Sequence, residues 1–202
     1  RDQPRSRGLG DVYKRQGNGS EAKPFVLKTA DHLAWFRDYV NGGHPNAWAK
    51  IADDVEEIDM SSVCHKADAE KQVAELSWTP IGSKKYQGTF DGNGKTIRNL
   101  FISSTSNEIG FFGCAADCRI KNITFDNAKV KGNDNCSTGI LAGYAGSCVI
   151  ENIKTTGNCS VEGQYETGGI AGRANGNISN CENHAMVKGS YTCLLYTSPS
   201  PR

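Results

Sequence analysis

A plan of three short apolar pieces separated by Gly, Asn or Asp recurs along this chain, and its period leaves few folds open. It covers residues 109–113, 118–123 and 128–132, then 138–143, 148–153 and 159–163, then 167–172, 177–181 and 185–189. The closing glycines Gly113, Gly143 and Gly172 lie 30 and 29 residues apart, and the anchors Ile120, Ile150 and Ile178 lie 30 and 28 apart. A fixed period of this size marks a solenoid, whose units bury their inner faces only by stacking on one another. Strands of about five residues, each rising about 3.3 Å per residue, make short sides, and Gly, Asn and Asp make the corners. Helical repeats would need apolar residues at 3.6 spacing over about a dozen positions, and no such run follows Trp78. The pattern predicts an all-β fold, a parallel β-helix with three strands per turn.

A divergent earlier turn spans residues 86–102. Asp91, Gly92, Asn93 and Gly94 form a strong turn signal, since Gly takes positive φ at little cost and Asp and Asn bond to nearby backbone. Ile97, Leu100 and Ile102 supply its inward side chains. A calcium loop of the EF-hand kind needs further acidic ligands and a Glu at its twelfth position, and these are missing, so the segment reads as a turn. Ahead of it, Thr29 is a candidate N-cap with Asp31 in the first turn. Leu33, Phe36 and Val40 form a stripe at helical spacing, which Asn41, Gly42 and Gly43 can end. A short amphipathic helix here would cover the open first turn of the solenoid. Residues 50–59 read as an early strand, 64–75 as a polar inserted loop or short helix, and 78–82 as the restart of the pattern. The chain therefore divides into a capping helix with first strands (17–82) and β-helix repeats (83–192).

The two ends belong to neither part. Residues 11–16 translate GAT GTG TAT AAG AGA CAG and residues 193–198 translate TGT CTC TTA TAC ACA TCT, the two strands of a transposase adapter used in sequencing libraries. Residues 1–16 and 193–202 are therefore excluded as adapter translation. Their removal turns the formal charge of +1 into −3 and takes Cys193 from the eight cysteines. With it goes the basic arm that hinted at nucleic acid. No run approaches the ~20 apolar residues of a membrane span. The natural start is not expected in the chain, so the lack of a leader carries no weight. Further repeats or domains are expected beyond the C-terminal end, which would leave Ile170 and Val187 exposed on the last turn.

The order of motifs, with Trp78 to Gly82, Phe90 to Ile97 and Gly110 to Gly113 followed by the repeats ending at Gly143 and Gly172, resembles bacterial surface proteins with GLUG-motif repeats. The resemblance covers nearly all of residues 17–192. It implies a right-handed β-helix in a secreted or cell-surface protein, adhesin-like in some relatives. In others, similar repeats precede the catalytic region of IgA-specific metallopeptidases.

Few residues suggest chemistry. No His-Glu-x-x-His occurs, and Cys64 with His65, or Cys114 with Cys118, lack a second pair to complete a zinc set. No metal or cofactor is expected. Cys118 and Cys148 hold equivalent repeat positions, so they stack in neighbouring turns, as packed thiols or within reach of a disulfide; packed thiols are the expectation. Asn122, Asn152 and Asn180 also recur and predict a corner ladder bonding one turn's backbone to the next; sugar binding is the alternative. Asp53, Asp54, Glu56, Glu57, Asp126, Glu151 and Glu162 are scattered charges rather than a catalytic pair. Tyr144 and Tyr165 are the aromatic residues able to stack on a sugar, or equally to pack an edge. The expected function is an adhesion, binding or display scaffold with a host glycan or extracellular protein as partner. The alternatives are the non-catalytic stalk of an extracellular metallopeptidase and a β-helix carbohydrate-active enzyme.

Overall fold

The computed structural model describes residues 17–192; the ends read as adapter translation, 1–16 and 193–202, lie outside the described residues. The chain opens with β1 (Phe25–Leu27), α1 (Ala30–Asn41), β2 (Ala49–Ile51) and β3 (Glu57–Asp59), and continues with β4 (Thr89–Arg98) and β5 (Phe101–Ser104). One full turn follows as β6 (Glu108–Ile109), β7 (Phe112–Ala116), β8 (Arg119–Asp126) and β9 (Lys129–Gly132). The next is β10 (Ser137–Gly139), β11 (Ala142–Gly146), β12 (Val149–Thr155) and β13 (Ser160–Glu162). The last is β14 (Glu166–Gly168), β15 (Ala171–Ala174), β16 (Asn177–Ser179), β17 (Glu182–Asn183) and β18 (Met186–Lys188), after which β19 (Tyr191–Thr192) pairs beside β14.

The strands pair in parallel with their equivalents one turn away, which makes the fold a parallel β-helix. Ile120 sits between Phe90 and Ile150, and Val130 between Ile102 and Val161. Four ladders result: β1-β2-β4-β8-β12-β16, β6-β10-β14-β19, β7-β11-β15 and β5-β9-β13-β18. The sequence predicts three strands per turn, and the fourth arises because the first apolar piece bends in its middle. At Gly110, between β6 and β7, an added Cβ would lie 2.8 Å from the Cα of Ala142 and the carbonyl of Gly139. The turns touch backbone to backbone there, and a continuous strand cannot pass.

α1 forms where the pattern places it. The Thr29 hydroxyl accepts from the His32 amide at 3.3 Å, and Leu33, Phe36 and Val40 are buried. Phe36 reaches into the solenoid, with its ring 6.2 Å from Tyr86 and 6.0 Å from Phe90. Asn41, read as a stop signal, also clamps the helix to the first turns. Its amide donates to the Pro80 carbonyl at 3.0 Å, and its oxygen accepts from the Gly82 and Ser83 amides. One hydrophobic cluster runs from Phe25 to Cys181, across the division at residues 82 and 83.

Two local expectations change, and one pair of alternatives is decided. Residues 50–59 hold two short strands, β2 and β3, rather than one. Of the two readings of the insertion, the loop holds and the short helix does not: a 3₁₀ turn at Met60–Ser62 leads into a folded-back loop with antiparallel bridges from His65 to Leu76 and Asp68 to Val73. Ile170 is fully buried rather than exposed, because it points inward and Ile178, Ala185 and Val187 of its own turn pack against the same core. On that turn the exposed apolar side chain is Met186, at 72%.

The abundance of Asn has a backbone cause. Ten described non-glycine residues have positive φ, and seven of them are Asn: 93, 99, 122, 127, 135, 152 and 180. Among L-residues with a full side chain, Asn enters this left-handed region most readily. The corners of the solenoid are thus written in Asn as much as in Gly.

Candidate functional site

The recurrent Asn residues form ladders, but through side chains and not through the next turn's backbone as the sequence predicts. The Asn152 amide donates to the Asn122 oxygen at 2.8 Å, and the Asn122 amide donates to Asp91 Oδ1 at 3.0 Å. Asn180 shares their positive φ at the equivalent corner. A second ladder, not foreseen, runs from Asn127 to Asn99 at 2.7 Å and from Asn99 to Asp59 at 2.9 Å. The middle members, Asn122 and Asn99, each give a hydrogen to the turn before and an oxygen to the turn after. The foot of such a series needs a group that only accepts, and an ionised carboxylate is one. Asp91 and Asp59 occupy those two positions.

Asp91 is committed on all sides. Oδ1 also accepts from the Asn93 amide at 2.8 Å, and Oδ2 lies 3.0 Å from the Lys121 ammonium. Burial opposes its ionisation, but the bonds from Asn122 and Asn93 and the charge of Lys121 outweigh it and hold the carboxyl below its usual value. A depressed folded value means that the stabilisation is present above the unfolded carboxylate range, about pH 4, and is lost as pH falls through the folded value. The expected result is a denaturant midpoint that falls below about pH 4. Asp91→Asn should cost about 1 kcal/mol at neutral pH and flatten part of that acid limb. An acid limb identical to that of the unsubstituted chain would contradict this role.

A groove lies along the face of the β5-β9-β13 ladder. The insertion overhangs it with Lys66, Ala67 and Glu75, and its floor carries Phe101 and Ser103 of β5, Lys129 and Lys131 of β9, and Ser160 and Glu162 of β13. Its volume is about 410 Å³, and a second hollow of about 580 Å³ shares Lys131 and Glu162 and continues to Lys188. Residues two apart on a strand share a face, which is why Lys129 and Lys131 both point outward here. Most Lys and Arg side chains of the described residues sit in ion pairs. Lys23, Lys66, Lys84, Lys129 and Lys131 do not, and three of these five converge on this groove. Glu162 pairs with Lys188 at 2.8 Å, and that bond, with the charges of Lys188 and Lys131, holds its carboxyl below the usual value. The groove had no motif to announce it: Lys66 lies some 60 residues before Lys129 and Lys131, and an exposed insertion supplies one wall.

The two tyrosines do not share this site. Tyr144 lies on β11 with the Arg173 guanidinium 5.6 Å from its ring, and its hydroxyl accepts from Asn175 at 3.3 Å. Tyr165 is exposed at the corner before β14, and neither residue lines the groove. The scattered carboxylates resolve into ion pairs: Asp53 with Lys50, Asp54 with Lys28, Glu56 with Lys95, Glu57 and Asp126 with Arg98, and Glu151 with Arg119. Several of these join neighbouring turns, and exposed pairs of this kind contribute at most about 1 kcal/mol each. Among the described residues, no three His, Cys, Asp or Glu side chains converge as metal ligands. Cys64 packs as an inert thiol: its sulfur accepts from the Phe101 amide at 3.3 Å, and burial pushes it up to about 11.

Two curated proteins are similar to the chain. Halomucin of Haloquadratum walsbyi is 30% identical over 187 residues, which is 86% of this chain and 2% of halomucin. A protein named as a Gly-rich membrane protein, from Evansella cellulosilytica, is 29% identical over 122 residues, 57% of this chain and 13% of that protein. The chain thus spans a small fraction of the length of each. No family model matches it, and no solved structure does. The fold fits a structural or display scaffold, and no helix among the described residues is long and apolar enough to cross a membrane.

Proposed function

We propose that this chain is a segment of a large bacterial surface or secreted protein of the GLUG-repeat kind, and that its β-helix is a binding scaffold whose groove takes an acidic glycan. The observation that carries the reading is the set of three lysines outside any ion pair, Lys66, Lys129 and Lys131, around one groove, the Lys129 ammonium donating to the Asn158 carbonyl at 2.6 Å. Their charges are uncompensated within ion-pair distance, so a ligand bearing carboxylate or sulfate groups would gain charge-assisted hydrogen bonds there. The hydroxyls of Ser103 and Ser160 would bond to sugar hydroxyls. Similarity to long curated proteins, one of them named as a membrane protein, supports the surface location. The pairing of the scattered carboxylates supports a non-catalytic role, since no two are left to act together.

The test is binding of the chain to immobilised glycans, uronate- or sulfate-bearing against neutral. The expected result is retention on the acidic set only, weakening as salt rises. The double substitution Lys129→Glu with Lys131→Glu should reduce it at least about tenfold while the chain stays folded, at the cost of the Lys129 bond to the Asn158 carbonyl. A folded chain that ignores acidic glycans, or binds neutral ones equally, would overturn the proposal.

A further inference from the structure

We propose that Cys118 and Cys148 are an oxidation site at which a single disulfide staples two successive turns of the β-helix. Their sulfurs lie 3.1 Å apart, inside the roughly 3.5–4.0 Å at which non-bonded heavy atoms rest. They occupy equivalent positions, each directly before an in-register pair, Arg119 with Val149. Adjacent strands in a ladder are about 4.8 Å apart, which falls within the backbone separation that a disulfide spans.

The fold also isolates the pair. The equivalent residue one turn earlier is Gly88 and one turn later is Gly176, where an added side chain would run into the Ala47 and Cys148 carbonyls respectively. The column therefore reads Gly, Cys, Cys, Gly, and no third side chain stacks on either sulfur. Asp117 and Ser147, just before the cysteines, both hold positive φ, so the same corner conformation presents the two sulfurs in the same direction. Cys118 is 8% exposed and Cys148 1%, which admits a small oxidant at the edge of the pair and excludes a protein thiol.

A peroxide attacked by one of the two sulfurs leaves one oxygen on it as a sulfenic acid and departs as water. The other sulfur then displaces that hydroxyl as a second water and forms the S–S bond. Two thiols and one hydrogen peroxide thus give one disulfide and two waters, with two electrons passing from sulfur to peroxide.

The chain, purified reduced, is treated with dilute hydrogen peroxide, denatured, alkylated and mapped by mass spectrometry. The expected result is loss of two hydrogens from the intact mass, with one linked peptide pair joining Cys118 to Cys148. The thermal midpoint should rise on oxidation and fall back on reduction, and Cys118→Ala or Cys148→Ala should remove both effects. Recovery of both cysteines alkylated, or linkage of either to Cys114, would overturn the proposal. The added peroxide makes the result independent of where the protein resides and of what the groove binds.

Discussion

Replacing Phe111 by Ala is expected to cost about 3–5 kcal/mol of folding stability, the range for removing a fully buried aromatic ring. Phe111 is the hub where the cap, the first turns and the regular repeats meet. Its ring is stacked on Trp78 at 5.5 Å and 5°, and it meets Phe112 at 5.3 Å, Phe125 at 5.7 Å and Phe90 at 6.0 Å. Its backbone is engaged as well: the amide donates to Ile140, and the carbonyl accepts from the Ile81 amide and from the Trp78 indole at 3.2 Å. The equivalent residues in the next two turns are Leu141 and Ile170, both fully buried but aliphatic. Leu141→Ala is therefore expected to cost less, about 2–4 kcal/mol. Since each turn is stabilised mainly by its neighbours, loss at Phe111 should also uncouple α1 and the early strands from the repeats. Urea unfolding followed by tryptophan emission reads both effects, because all three tryptophans, Trp35, Trp48 and Trp78, lie on the N-terminal side. A cost at Phe111 no larger than that at Leu141 would show that the aromatic junction is not the weak point of the solenoid.

The period of the turns and the single helix were legible, and the features that depend on contacts between turns were not. The period located the turns because every inward Ile, Leu and Val must face its counterpart one turn away, and that demand writes itself into spacing. Thr29, Leu33, Phe36 and Val40 revealed α1 because a cap and an apolar stripe follow from one helix alone. The fourth ladder escaped because Gly110 reads the same whether it ends a strand or turns a corner. The Asn ladders were half visible: recurrence marked Asn122 and Asn152, but the choice of side-chain over backbone partners depends on the φ of those corners, and Asp59 with Asn99 lies outside the regular repeat. The insertion carries a periodicity of neither helix nor strand, so its hairpin and the groove beneath it follow only from tertiary packing. Tyr144 and Tyr165 stood out by residue type, whereas the groove depends on which lysines lack a carboxylate within reach, a property of the folded surface.

The motif glycines should divide by what lies opposite them rather than by where they fall in the repeat. Gly143→Ala is expected to destabilise the chain by about 3 kcal/mol or more, since overpacking against backbone cannot be relieved by a rotamer change. A Cβ at Gly143 would stand 2.6 Å from the Cα and carbonyl carbon of Glu108 and closer still to the Ile109 amide, and one at Gly172 would meet Ser137 and Thr138 in the same way. At Gly113 the nearest atoms are the Gly82 carbonyl and Pro80 Cβ, both at 3.2 Å. That gap closes with small shifts, so Gly113→Ala should cost distinctly less. Gly94 supplies the opposite control. Nothing lies within 4 Å of an added Cβ there, but its φ is +72°, so Gly94→Ala should cost only the left-handed strain of about 1–2 kcal/mol. Denaturant unfolding of the three variants separates contact from conformation. Gly143→Ala matching Gly94→Ala would mean that the turns can move apart at that corner, and the close backbone contact that sets the fourth ladder would lose its explanation.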